Sequence, residues 1–139
     1  MTRVIIATVV AVAAALALSS QKVSGQNPQL DTGRTLFATY CATCHGVHAS
    51  GDGPMAAQLR TKPANLTQYT VKNHGVFPAE RLHRIIDGTD ASIRSHGSME
   101  MPVWGDAFRK RQGLSQEEAN ARIEAIVRYL GLMQDRLAH

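Results

Sequence analysis

Residues 41–45 read Cys-Ala-Thr-Cys-His and hold the only two cysteines of the chain. Two thiols three positions apart on one turn of helix reach the two vinyl groups along one edge of a porphyrin. The histidine that follows is then presented to the iron. C-x-x-C-H is therefore read as a covalent attachment site for a c-type haem. A zinc site needs two further Cys or His ligands at close spacing. No third cysteine exists here, and no histidine pair stands at H-x3–5-H spacing. A disulfide would suit an exported chain, but the short spacing and the adjacent histidine argue against it.

The chain of 139 residues has room for one domain. Its aromatics are scarce, with Phe 3, Tyr 3 and Trp 1, so a core of side chains alone would be lean. A buried porphyrin adds the large flat apolar surface that such a domain lacks. The first 25 residues stand apart from that domain. Arg3 precedes an apolar run over residues 4–18 (VIIATVVAVAAALAL), broken only by Thr8, and a small polar stretch ends at Gly25. This pattern predicts a secretory signal peptide over 1–25 and a mature domain over 26–139. The run is short for a membrane span, which wants about 20 apolar residues. An uncleaved membrane anchor is the alternative. The formal charge of +4 includes Arg3 and Lys22, so it falls to +2 without the leader. Neither that charge nor any basic run with interleaved aromatics supports nucleic-acid binding. Arg109-Lys110-Arg111 is the densest basic cluster and reads first as solvated surface.

Along the mature chain, Asp31 or Thr32 is expected to cap a helix starting near Gly33. It would carry Leu36, Phe37, Tyr40, Cys41 and Cys44 on one face and end at His45-Gly46. Gly51-Asp52-Gly53-Pro54 is a turn by composition. Residues 55–60 suit a short helical segment, and 61–76 read as an irregular loop. Pro78 fits the first position of a helix with Leu82, Ile85 and Ile86 on one face and Gly88 past its end. Residues 88–105 read as loop. Ser115 and Glu118 form a capping box for a last helix with Ala119, Ile123, Ile126, Val127 and Leu130 in a stripe before Gly131. No alternating strand pattern occurs. The expected fold class is all-α, with three to four helices and long loops around one haem.

An electron carrier needs a second axial ligand, whereas an open sixth position favours gas binding or peroxide chemistry. Met55, Met99, Met101, Met133 and the remaining histidines are the candidates. Met101 stands out because Pro102 follows it and stiffens the loop that must hold a neutral thioether. Met99, followed by Glu100, is the competitor, and His96 is the histidine to test beside them. Met55 and Met133 read as core filling.

CATCH near the start of the mature chain, the GDGP turn, and MPVWG before an amphipathic last helix together resemble a class I (monohaem) cytochrome c. The resemblance covers roughly residues 31–131. It implies the small cytochrome c fold, thioether bonds from Cys41 and Cys44, His45 as proximal iron ligand and Met101 as distal ligand. It further implies that the Pro54 carbonyl accepts a hydrogen bond from His45, and it places Trp104 near the haem or a propionate. It also implies crossed terminal helices, with Gly33 and Phe37 meeting Ile126 and Tyr129. The loop around 61–78 and the RKRQG segment exceed what the smallest members need.

The function expected from these features is that of a periplasmic one-electron carrier between respiratory or dehydrogenase partners. Such a protein is not an enzyme and takes no small-molecule substrate. The alternative is a haem c subunit of a larger periplasmic oxidoreductase, with a dehydrogenase, reductase or oxidase as the redox partner. A peroxidase or gas-binding protein is the third reading.

Overall fold

Proline lacks an N–H and has a fixed φ, both of which suit the first turn of a helix. The first helix, α1 (Pro28–Tyr40), begins on one, more than a turn before the expected start at Gly33. The structure, a computed structural model, describes residues 28–94 and 101–135. The leader expected at 1–25 lies outside them, as do His96, Met99 and His139. The chain kinks at Cys41 and resumes as α2 (Ala42–His45), which ends at Gly46 with φ 80°. The predicted end of the cysteine-bearing helix is therefore met.

Two 3₁₀ turns follow, Ala56–Gln58 and Leu66–Gln68. The second runs into α3 (Tyr69–Lys72), so the segment expected to be an irregular loop is partly helical. Its nucleus is Asn65, whose Oδ1 accepts from the Thr67 N–H at 2.9 Å, and an Asn side chain that does this starts a helical turn. Next come α4 (Ala79–Asp87), with Pro78 before it and Gly88 after it in the left-handed conformation, and α5 (Ala91–Arg94). The expected loop over 88–105 is thus interrupted. α6 (Trp104–Asp106) continues as a π turn over Ala107–Arg111.

The last helix, α7 (Gln116–Leu132), carries the predicted capping box in full. Ser115 Oγ accepts from Glu118 N, and the Glu118 carboxylate accepts from Ser115 N. Such caps contribute on the order of 1 kcal/mol. Gly131 does not stop the helix. A Cβ there would lie 3.3 Å from Phe77 Cε1, so the glycine serves close approach rather than termination.

The terminal helices cross as expected. Gly33 lets α1 sit directly on the α7 backbone: a Cβ at 33 would lie 2.2 Å from the Ala125 carbonyl oxygen. One turn further on, Phe37 and Tyr129 meet with ring centroids 5.6 Å apart and planes at 51°, a tilted geometry that contributes about 0.5–1.5 kcal/mol beyond burial. Phe37, Ile123, Ile126 and Leu130 are buried at this crossing, and Leu82 and Ile86 extend the core through α4. The stripe read from the sequence of α7 is buried in full. Among the described residues there is no strand, and no helix is long and apolar enough to cross a membrane.

Candidate cofactor site

The site is built on the kink between α1 and α2. Cys41 N continues the α1 ladder to the Phe37 carbonyl at 2.9 Å, and the Cys41 carbonyl accepts from both Cys44 N and His45 N, at 3.1 and 2.9 Å. One tight turn thereby carries two free, half-buried thiols and the histidine. Burial pushes the Cys41 thiol up to about 12, with the neighbouring Cys44 adding to the effect. The thiol is therefore protonated near neutrality.

The GDGP turn packs behind this kink. Gly53 N donates to the Cys44 carbonyl at 3.1 Å, and Met55 N donates to the Thr43 carbonyl at 3.0 Å. A Cβ at Gly53 would fall 2.5–2.6 Å from the Thr43 and Ala42 carbonyl oxygens and from Cys44 C. Only glycine fits that approach.

The histidine's second contact differs from expectation. His45 Nδ1 lies 3.0 Å from the Ala64 carbonyl oxygen, and Pro54, which was expected to supply this acceptor, is exposed. The reason is the way the two loops dock. The GDGP turn presents its N–H groups to the CATCH backbone, as above. The Pro63-Ala64 segment closes over Gly51, where a Cβ would lie 2.3 Å from the Pro63 carbonyl oxygen. Leu66 N then donates to the Ala49 carbonyl at 2.7 Å, which fixes Ala64 beside the ring. A carbonyl only accepts, so Nδ1 carries the proton and Nε2 keeps a free lone pair. Burial holds the His45 pKa below its ordinary value, partly opposed by the Ala64 hydrogen bond, so the neutral, ligating form is favoured.

The loop bearing Met101 reaches the same helix through aromatic packing. Trp104 packs against Tyr40, the residue before Cys41, with ring centroids 5.1 Å apart and planes tilted at 55°. Phe108, fully buried, touches both, at 5.3 Å from Tyr40 and 5.6 Å from Trp104. The π turn brings Phe108 into this cluster, and Arg122 lies over its ring at 5.5 Å. On the other side, a Cβ at Gly88 would lie 2.4 Å from Val103 Cγ1, so the loop also leans on the end of α4. Met101 and Val103 remain exposed at 39% and 38%.

The basic triplet is only partly open to solvent. Arg109 pairs with Asp106 at 2.9 Å and Asp87 at 3.4 Å, and Lys110 pairs with Asp106 at 2.9 Å. Arg109 thus braces α6 against α4 through Asp87, while Lys110 only closes back on α6, and sequence inspection missed the role of Arg109. Ala64 and Tyr40 were also missed. The Asn65…Gln68 spacing that starts a helical turn was the available signal for the segment holding Ala64.

The donor set fits a c-type haem. It has two free thiols on one turn, a neutral imidazole with its distal nitrogen unengaged, and a thioether on a loop packed against the same helix. Among the described residues no three His, Cys, Asp or Glu side chains converge as a metal cluster, so the zinc reading finds no partners there.

Residues 30–131 match the sequence profile of the family described as Cytochrome c. No curated protein and no solved structure gives a significant match. The profile spans most of the chain and carries the cofactor with it. The domain binds haem c covalently, with its iron, and Cys41 and Cys44 stand at the spacing of the C-x-x-C-H motif.

Proposed function

The chain belongs to the cytochrome c family, whose members are electron-transfer haem proteins, and on that premise we propose that it is an exported, periplasmic one-electron carrier. In this reading His45 and Met101 would be the two side chains that hold the iron. Bound haem supplies an iron that alternates between ferrous and ferric states. The rest is the work of the chain. His45 offers a neutral Nε2 because Ala64 holds Nδ1 as the donor. Met101 offers a neutral thioether from a loop stiffened by Pro102. A histidine–methionine pair raises the reduction potential relative to two histidines. Two side-chain ligands would also leave no open position on the iron for an external ligand.

The observation that carries the reading is the Tyr40–Trp104 contact. It ties the loop that carries Met101 to the residue preceding Cys41, so that loop and the cysteine-bearing helix form one packed unit. Such a unit suits a carrier, because ligand geometry that changes little between oxidation states keeps the reorganisation on electron transfer small. Trp104 serves in this reading as a wall of the cofactor site, and the redox partners are proteins: a dehydrogenase, a reductase or an oxidase. Periplasmic placement rests on the apolar run and small polar stretch of residues 1–25 and on the site of thioether formation in this family.

Reversible titration of the purified protein tests the proposal. A single one-electron wave is expected, and the ferrous protein at neutral pH should not bind carbon monoxide. Rapid carbon monoxide binding would mean an open sixth position and would replace the carrier reading with gas binding or peroxide chemistry.

A further inference from the structure

The C-terminal end of α7 does more than finish the helix. The Gln134 side chain makes three hydrogen bonds, all of them to backbone. Its Nε2 donates to the Leu66 and Leu130 carbonyls, both at 2.8 Å, and its Oε1 accepts from Thr70 N at 2.9 Å. Asp135 adds a second grip, with its N–H donating to the Thr67 carbonyl at 2.7 Å. The Thr67 hydroxyl lies 2.8 Å from both Asp135 Oδ2 and Asn65 Oδ1, and its single proton serves one of them at a time. From the opposite side, the Ala49 carbonyl accepts from Leu66 N at 2.7 Å. The turn at Leu66–Thr70 is therefore held between the CATCH loop and the end of α7. Two residues before it stands Ala64, whose carbonyl accepts from His45 Nδ1.

We propose that Gln134 is a positioning residue for the iron's histidine ligand: by gripping the Leu66–Thr70 turn it fixes the Ala64 carbonyl that orients His45. The proposal rests on the reading of His45 as an axial ligand. The reasoning is electronic as well as geometric. A hydrogen bond accepted from Nδ1–H makes the imidazole a stronger donor, and a stronger donor favours the oxidised iron. Releasing the turn lets the Ala64 carbonyl recede, weakens that bond and raises the reduction potential. A residue that only finished the helix would change stability without moving the potential.

The test uses the holoprotein with Gln134→Met, which keeps the length of the side chain and removes all three polar contacts. Ser115→Ala, at the other end of α7, is the control because it destabilises the same helix without touching the Leu66–Thr70 turn. Potentials come from spectroelectrochemistry, and exchange of the His45 Nδ1 proton comes from NMR of its iron-shifted ring signals. Gln134→Met should shift the potential upward and speed this exchange about tenfold, while Ser115→Ala leaves both at wild-type values. Gln134→Asn, neutral and one methylene shorter, should move both in the same direction by less. It decides the matter if the methionine variant fails to retain its haem. Wild-type potential and exchange in the Gln134 variants would overturn the proposal, as would equal shifts in Ser115→Ala. A wild-type protein without iron-shifted His45 signals would instead overturn the ligand reading beneath it.

Discussion

Gly33→Ala pits two well-known effects against each other. In an exposed helix the change stabilises by about 1 kcal/mol, because alanine is the better helix former. At this position the added Cβ would lie 2.2 Å from the Ala125 carbonyl oxygen and 2.9 Å from Tyr129 Cβ, where ordinary contact begins at 3.4 Å. These atoms include backbone of α7, which cannot rotate aside, so α1 must retreat by roughly 1 Å. A gap of that size forfeits about a quarter to a half of each dispersion contact it opens, here between Phe37 and its partners Ile126 and Tyr129. Overpacking of this kind costs about 1–3 kcal/mol. The clash therefore wins, and the net loss should be about 1–2 kcal/mol. For a domain of this size that lowers the Tm by about 5–10 °C, measured by circular dichroism on the ferric holoprotein. A variant as stable as the wild type, or more so, would refute the claim that close backbone approach of α1 to α7 organises the fold.

Phe108→Ala should cost about 3–5 kcal/mol, since a fully buried aromatic leaves a cavity, and guanidinium unfolding of the holoprotein would measure it. A loss below about 1 kcal/mol would mean that the π turn does not brace Trp104. Asp106→Asn should lower stability at neutral pH and become indistinguishable from the wild type in acid. Hydrogen bonds from Lys110, and then Arg109, hold the Asp106 carboxyl below its ordinary pKa. A depressed folded pKa gives a contribution present above the unfolded value of about 3.9 and lost as pH falls through the folded one. The variant should accordingly flatten the acid limb of the stability profile below about pH 4, leaving the pH dependence between 5 and 7 as in the wild type. A change of slope in that upper range would contradict the assignment.

The parts of this fold that were legible in the sequence are those written in local code. C-x-x-C-H states its chemistry in five residues, and the Ser115–Glu118 box marks the start of α7 to the residue. The buried stripe of α7 follows from helical periodicity alone. The acceptor for His45 was not legible in the same way. Pro54 and Ala64 both lie in loops after the motif, and the choice between them depends on which loop turns its N–H groups toward the CATCH backbone. That is set by long-range contacts such as Leu66 to Ala49. Gly131 shows the same limit from the other direction: near a helix end a glycine reads as a stop, yet here it makes room for Phe77. The clamp at Gln134 joins residues more than sixty positions apart, beyond the reach of any periodic signal.

The central claim is that Met101 completes the iron's coordination opposite His45. Near-infrared absorption of the ferric protein tests it most directly, because the charge-transfer band of methionine–iron ligation appears there. The wild-type protein should show the band and Met101→Ala should lose it, with carbon monoxide then binding the ferrous variant readily. A band that survives in Met101→Ala would contradict the assignment and transfer the ligand role to Met99.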